Sequence, residues 1–383
     1  IHNSLQYLLL FFFIFLLINA GVGLYQGHSV KDVLQSFLPY SLLVLLFPSF
    51  HIFQNEKTQN FLVRNICVFI IGSALVSLFV FIIYSSGIGV LQDGFYHWYR
   101  DIALGKITDL GNGFFRVVEP EHLLIVPFIL LIASLLMRDE KHHKMWRLLI
   151  FLASITLILN FSRGYFLALL VGFLVLKYKH KWHRWLIVSA TTVGLMALIF
   201  ISINLIASQG RSLGLELFGI RVLSLVQPQM EISAATRMMI LPSILEIIKS
   251  HPLLGTGLGS SVTHFNELLY NQETTRQFDW GYLQMWVELG LFGFLTFLWI
   301  IFFTISSLIA KIRFYADYQE FDVGLLAGLV AFLTMNITSP ALFHIFGIIF
   351  LILVITLTLK PANLVFGQLI DLLYRIFNRL KNV

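Results

Sequence analysis

The chain has 383 residues, of which 58% are hydrophobic and 12% are charged. A soluble globular protein carries about twice that fraction of charge, so the composition excludes an ordinary soluble domain and indicates a membrane protein. The net charge of +6 is located mainly in short loops between apolar runs, which is typical of membrane topology and argues against nucleic-acid binding. The single cysteine, Cys67, excludes an internal disulfide and a cysteine metal cluster.

Ten apolar runs predict an all-α fold, a polytopic transmembrane helical bundle. The predicted spans are 4–24, 34–53, 65–86, 122–137, 147–161, 164–178, 185–207, 281–310, 323–336 and 341–359. Several are shorter than the roughly 20 residues that cross a bilayer squarely, so we expect some pairs to be kinked or partial. The chain starts at Ile1 without a methionine, which indicates a fragment that has lost its natural start.

Lysines and arginines cluster on one side of the membrane when these spans alternate. The clusters are Arg138, Lys141, Lys144 and Arg147, then Lys177, Lys179, Lys181 and Arg184, then Lys311 and Arg313, and finally Lys360, Arg375, Arg379 and Lys381. The positive-inside rule assigns this side to the cytoplasm, so both termini are expected inside. The predicted division is N-terminal spans in 1–207, an extracytoplasmic loop subdomain in 208–281 and C-terminal spans in 282–360. A cytoplasmic tail, 361–383, is expected to form an amphipathic helix on the inner membrane surface.

The outer loop 208–281 contains candidates for binding an anionic substrate. An amphipathic helix is predicted to start at Ser233 and to carry Arg237. A guanidinium group is permanently charged and binds phosphate oxygens in a bidentate manner, so Arg237 is a candidate phosphate ligand. The alternative is an arginine that snorkels from a helix lying on the bilayer.

A glycine-rich run follows that helix, His251-Pro252-Leu253-Leu254-Gly255-Thr256-Gly257-Leu258-Gly259. Alternating glycines allow close backbone approach, and consecutive N–H groups could bind an anion. His251, Gly255 and Gly257 are therefore candidate substrate contacts. The alternative is a plain turn that ends the helix.

Further candidates lie at the outer ends of predicted spans. Arg163 would be costly at membrane depth unless paired or hydrated, with interfacial snorkelling as the alternative. Arg116 and Glu119 stand just before the span at 122, where ordinary helix-start chemistry is the alternative. Asp279 precedes the span at 281 and could cap that helix or act as a general base.

Glu288 lies deeper in the span that begins at 281, where an acid is costly, and could pair with an arginine or serve as a second candidate base. No set of His, Asp and Glu residues has convincing metal-ligand spacing, so no metal is expected.

The chain resembles the O-antigen ligase and O-antigen polymerase superfamily of bacterial membrane glycosyltransferases over about residues 115–310. The resemblance rests on Asn160-Phe161-Ser162-Arg163-Gly164, on Arg237 before the glycine-rich run, on Tyr282-Leu283-Gln284 and on Glu288-Leu289-Gly290-Leu291-Phe292-Gly293. It implies a multi-pass enzyme of the bacterial inner (plasma) membrane that works without metal or cofactor, and further spans before Ile1. Its substrates would be undecaprenyl-pyrophosphate-linked glycans at the periplasmic or outer face.

The resemblance also implies roles for single residues. Arg163 and Arg237 would hold the donor pyrophosphate, and Asp279 would deprotonate the acceptor sugar, with Glu119 and Glu288 as reserve candidates. Tyr282 and Arg116 join the candidate substrate contacts. A chain-length regulator or a lipid A-core acceptor is an implied partner besides the bilayer.

Three functions remain open from the sequence. In the ligase branch of the superfamily a histidine usually stands where this chain has Asp279, and an asparagine where it has Trp280. This departure favours a polymerase of repeat units over a ligase that transfers glycan to lipid A-core. A transporter or flippase of lipid-linked sugars is the third, but repeat-related halves and midplane ionisable residues, which such a protein should show, are not evident.

Overall fold

The computed structural model describes residues 2–52, 56–87, 89–138, 143–224, 227, 229, 231–266, 271–314 and 319–359. The α-helices are α1 His2–Tyr25, α2 Val30–Ser41, α3 Leu46–Ile52, α4 Glu56–Ser85, α5 Gly89–Asp101, α6 Ile125–Leu136, α7 His143–Asn160, α8 Arg163–Leu176, α9 Trp182–Ala207, α10 Leu215–Leu223, α11 Ile232–Ser250, α12 Gly281–Phe314, α13 Gln319–Met335 and α14 Ile345–Thr358. Short 3-10 helices cover Leu42–Leu45 and Pro120–Leu124. Two antiparallel hairpins pair β1 Lys106–Asp109 with β2 Phe115–Val118, and β3 Val262–Asn266 with β4 Asn271–Thr275.

The prediction of a polytopic helical membrane protein is confirmed, because a helix is present at each of the ten predicted spans. Within the described residues, five helical stretches are long and apolar enough to cross a bilayer: Tyr7–Tyr25, Val30–Phe50, Arg64–Ser85, Trp182–Ala207 and Gly281–Phe314. Shorter apolar helices are Pro120–Leu136, Arg163–Leu176 and Ile345–Thr358. The hairpins were not predicted, and the tail 361–383 lies outside the described residues.

The chain folds as two compact units. Unit 1 comprises 1–49, 219–310 and 333–359. Aromatic rings fill its interior: Phe12 lies 5.7 Å from Tyr40, and Phe297 lies 5.5 Å from Phe12, measured between ring centroids. All three rings are less than 2% exposed, so large apolar side chains from α1, α2 and α12 form one core.

Unit 2 comprises 50–218, 311–332 and 360–383. Its central helix is α7, which packs against α4, α6 and α9. Gly172 lets α8 lie close to α6, because a Cβ there would come within 2.2 Å of Leu130 Cδ1. A buried ion pair joins Lys311 Nζ to Asp322 Oδ1 over 3.0 Å.

Candidate functional site

Helix α12 is broken at Gly290, which adopts φ 64° and ψ −177°. This conformation is almost exclusive to glycine among residues. A Cβ on Gly290 would lie 2.3 Å from the carbonyl oxygen of Leu253 and 2.5 Å from the amide nitrogen of Gly255. The break therefore depends on a residue without a side chain, because another segment of backbone occupies the space beside it.

That segment, residues 252–256, is called the plug here because it satisfies the polar groups that the break exposes. Thr256 donates its N–H to the Val287 carbonyl at 2.8 Å, and Leu291 donates its N–H to the Pro252 carbonyl at 3.0 Å. The Trp286 indole also donates to Pro252, at 3.0 Å. A buried backbone group without a partner is costly, so a helix break inside a packed protein requires such hydrogen bonds.

The alternating glycines of the same run allow it to pass close to other backbone. Gly255, Gly257 and Gly259 have φ of 71°, 83° and 81°. A Cβ would lie 2.5 Å from the Val287 carbonyl oxygen at the first and 2.2 Å from the Gly23 nitrogen at the second. Close packing inside unit 1 thus accounts for the glycine pattern. His251, just before the plug, is exposed, and its backbone carbonyl accepts from the Gly255 N–H at 3.2 Å.

Arg237 and Asp279 form an ion pair near the start of α12, with 3.3 Å between Arg237 Nε and Asp279 Oδ2. Their side chains are 25% and 45% exposed, so solvent or a ligand can reach the pair. The Trp280 indole donates to the Arg237 backbone carbonyl at 3.0 Å. Asp279 has φ 54°, and Trp280 is the residue that directly precedes the helix, so Asp279 does not occupy the capping position.

An apolar cluster positions this ion pair. It consists of Ile240, Ile244, Ile248, Val262, Phe278 and Val287, all buried. The cluster holds α11 and β3 against the first segment of α12. Arg237 lies one turn before Ile240 on α11, and Asp279 directly follows Phe278. Both charged residues are therefore attached to a packed core by their neighbours, and they meet at its edge.

Glu288 and Arg276 belong to a second polar cluster in unit 1. Glu288 is 2% exposed, and it accepts hydrogen bonds from Ser36 Oγ, at 2.8 Å, and from the Gly259 N–H. Arg276 Nη1 lies 2.5 Å from Asp32 Oδ1. Glu288 also interacts electrostatically with Arg276. Its carboxylate thus joins the α12 turn before the break to α2 and to the glycine run.

Asp32 and Arg276 were not predicted as partners from the sequence. They lie 244 positions apart and share no motif. The one signal was an additional arginine three residues before Asp279. Tyr282, a predicted substrate contact, is partly buried, and its hydroxyl donates to the Leu333 carbonyl at 2.8 Å.

Glu119 of unit 2 is 3% exposed and has several hydrogen-bond donors. Tyr99 donates its hydroxyl to Glu119 Oε1 at 2.9 Å, and His122 Nε2 lies 2.9 Å from Glu119 Oε2. Glu119 is also the N-cap of the 3-10 helix Pro120–Leu124, in a capping box with His122. Burial, together with the nearby Glu119 carboxylate, raises the pKa of Tyr99 well above its ordinary value. The helix-start alternative for Glu119 therefore has direct structural support.

Arg116 and Arg163 lie near the end of α7. Arg116 Nε donates to the Asn160 carbonyl at 2.7 Å, which satisfies a carbonyl at the helix terminus. Arg163 is the first residue of α8, directly after Ser162 at the N-cap, and it is half-buried. Phe161, in the connection between α7 and α8, has φ 44°, and its ring stacks on Phe200 with 5.1 Å between centroids. Arg163 thus occupies the positive end of a helix, where an anion would be stabilised by both the arginine and the helix N–H groups.

Residues 148–298 match the family described as O-Antigen ligase. The match confirms the resemblance to the O-antigen ligase and polymerase superfamily that the motifs indicated. It includes Arg163, Arg237, the plug, Asp279 and Glu288, while Arg116 and Glu119 precede it. No protein of curated function matches the chain.

Proposed function

Since the chain has a domain of the O-antigen ligase and polymerase superfamily, whose members are glycosyltransferase-type enzymes, we propose that it polymerises lipid-linked oligosaccharide repeat units. The donor would be a glycan on undecaprenyl pyrophosphate, and the acceptor a sugar of a second lipid-linked unit. The reaction would take place at the extracytoplasmic face of the bacterial inner membrane, with both termini in the cytoplasm.

The observation that carries this proposal is the accessible Arg237–Asp279 ion pair within the matched residues. The Arg237 guanidinium is one-quarter exposed, so it can exchange its carboxylate partner for a bound pyrophosphate, which has more negative charge and more acceptor oxygens than a carboxylate. Pyrophosphate binding would then release the Asp279 carboxylate from Arg237. One event would place positive charge beside the leaving group and make a base accessible to the acceptor.

The proposed reaction is a single displacement at the anomeric carbon of the donor. The acceptor hydroxyl gives its proton to Asp279, and its oxygen forms the new glycosidic bond. The bond between the anomeric carbon and the pyrophosphate oxygen breaks, and the electron pair leaves with undecaprenyl pyrophosphate. Arg237 stabilises the charge that develops on this leaving group, which is commonly the largest contribution to such catalysis.

Other predicted residues receive supporting roles in this proposal. Arg163, at the positive end of α8, stays a predicted phosphate ligand. Glu288 would position residues and not exchange protons, because Ser36 and Gly259 already donate to its carboxylate. Glu119 would likewise organise the residues around Arg116, given its buried bonds to Tyr99 and His122.

A ligase is the second candidate, because the description of the matching family is O-Antigen ligase. Against it stands Asp279 at the position where the resemblance implies a histidine in ligases. The two reactions share donor and leaving group and differ only in the acceptor, so a single assay can separate them.

The test uses the purified protein in proteoliposomes with undecaprenyl-pyrophosphate-linked repeat units, with and without lipid A-core. A polymerase gives a ladder of glycans and releases undecaprenyl pyrophosphate without lipid A-core. A ligase requires lipid A-core and attaches glycan to it. If undecaprenyl pyrophosphate is released neither with nor without lipid A-core, both candidate functions are contradicted.

Variants test the roles of the ion pair. Arg237→Ala should lower kcat about 10²–10³-fold, as for loss of one oxyanion-stabilising donor, and Arg237→Lys should also be impaired because an ammonium group cannot bind phosphate in the same bidentate way. Asp279→Asn should lower kcat about 10²–10⁴-fold. Arg163→Ala should weaken donor binding.

Lys249→Ala is the matched control for Arg237, since Lys249 is an exposed cation on the same helix. The exchange Arg237→Asp with Asp279→Arg would restore an ion pair but not the proposed roles. Full activity of that double variant, or of Asp279→Asn, would contradict the proposed catalytic roles and would indicate that the ion pair is only structural.

A further inference from the structure

Unit 2 contains a cleft among the C-terminal end of α6, the first half of α7 and the first half of α9. Its volume is about 590 Å³. Binding pockets for small molecules commonly measure about 300–1,000 Å³, so the cleft can hold an ordered ligand. None of the residues assigned to the proposed glycan reaction lines it.

Cationic side chains line one end of the cleft. Arg138, Arg147 and Arg184 line it together with His143, and the described lining residues include no acid. Glu320 lies 3.9 Å from Arg138, with both side chains about one-third exposed. The three guanidinium groups that line this end can donate hydrogen bonds to phosphate oxygens, which suits a phosphate group.

The remainder of the cleft is apolar. Ile150 and Phe151 of α7 face it, as do Ile187 and Val188 of α9. Thr192 also lines it, but its hydroxyl donates to the Val188 carbonyl in its own helix at 2.7 Å. This surface offers little to a polar metabolite and is compatible with a hydrocarbon chain.

We propose that the cleft binds one anionic phospholipid, with its phosphate among the three arginines and an acyl chain along the groove between α7 and α9. The arginines belong to the basic clusters that the positive-inside rule assigns to the cytoplasmic side, where anionic lipids are attracted to such clusters. A free phosphate ion would use the cationic end alone and would leave the apolar groove without an occupant. The proposal does not depend on the glycosyltransferase reaction.

The test measures lipid binding to the delipidated protein by native mass spectrometry in detergent. Phosphatidylglycerol should bind at one site, and phosphatidylcholine, which carries no net charge, should bind much more weakly. Each cation near a lipid surface contributes about 1 kcal/mol, so Arg147→Gln should weaken binding about fivefold and Arg147→Gln with Arg184→Gln about twenty-five-fold. Arg147 is exposed, so its replacement should not affect folding.

Lys144→Gln is the matched control, because Lys144 is exposed on the same turn of α7 but does not line the cleft. It should leave the dissociation constant unchanged. Equal weakening by Lys144→Gln and Arg147→Gln would overturn the proposal in favour of nonspecific attraction. Displacement of the lipid by excess inorganic phosphate would overturn it in favour of a simple anion site.

The acyl groove has its own test. Thr191 lines the cleft and is exposed, so Thr191→Phe should fold and fill the groove. Val193, two residues along α9, is exposed and does not line it. Thr191→Phe should abolish phosphatidylglycerol binding, and Val193→Phe should not. Undiminished binding to the Thr191 variant would refute a lipid seated in this groove.

Discussion

Gly290→Ala should destabilise the protein, because two separate costs arise at the break in α12. The backbone conformation, with φ 64° and ψ −177°, costs a residue with a side chain about 1–3 kcal/mol. The new methyl group would also lie 2.3 Å from the Leu253 carbonyl oxygen and 2.4 Å from the Leu254 carbonyl carbon. Both contacts are with backbone of the plug, so no side-chain rotation can relieve them.

Movement of the plug would weaken the hydrogen bonds from Thr256 to Val287 and from Leu291 to Pro252. A buried polar group left unpaired costs about 1–3 kcal/mol. With the backbone cost, we expect a loss of roughly 3 kcal/mol or more. At about 2–4 °C per kcal/mol, the melting temperature should fall by roughly 6–12 °C.

The assay is thermal unfolding of the purified protein in detergent, followed by fluorescence. Gly21→Ala is the control: Gly21 lies in α1 of the same unit, and nothing lies within 4 Å of a Cβ placed there. Alanine is favoured over glycine inside a helix by about 0.5–1 kcal/mol, so the control should melt at the same or a higher temperature. Equal melting temperatures for the two variants would refute the account of the break and the plug.

Two further predictions concern unit 2. Lys311→Met should lower the free energy of unfolding by about 3–5 kcal/mol, because it leaves Asp322, whose side chain is 4% exposed, without its ion-pair partner. The double variant Lys311→Met with Asp322→Leu should recover most of that loss, since it removes both charges. Additive losses in a double-mutant cycle of thermal stability would contradict this prediction. Burial lowers the pKa of His180, so the folded state keeps this imidazole neutral while the unfolded chain protonates below about pH 6.5. The stability contribution of neutral His180 is therefore present above that pH and lost as the pH falls. The melting temperature should decrease between about pH 7.5 and 5.5, and this decrease should be smaller in His180→Gln. A pH profile that is the same in the variant and the original protein would contradict this prediction.

The helices could be predicted from the sequence because each depends on local composition. A run of about twenty apolar residues must form a helix in lipid whatever its neighbours are. The outer-loop helix was predicted to start at Ser233 and starts at Ile232. The hairpins were missed because their strands have only four or five residues, and β4, Asn271–Thr275, has no apolar residue.

The break in α12 could not be predicted from the sequence, because Gly290 lies inside a single predicted span, 281–310. Its conformation is imposed by the plug, whose residues 252–256 lie more than thirty positions earlier. The ion pair of Asp32 and Arg276 was missed for the same reason, since tertiary packing alone brings the two residues together. The sequence did identify Arg237 and Asp279 as separate candidates, but not as partners.

The break and the proposed site are mechanically connected within unit 1. The apolar cluster fixes α11 to the α12 segment that begins at Gly281, and the plug, which follows α11, fixes the other end of that segment at Gly290. Arg237 and Asp279 meet at the edge of this cluster, so their relative position depends on both attachments. A displaced plug should therefore impair catalysis as well as stability, even where the folded protein remains in the membrane. For Gly290→Ala we thus expect a loss of glycan transfer below the melting temperature of the variant, with both residues of the ion pair still present.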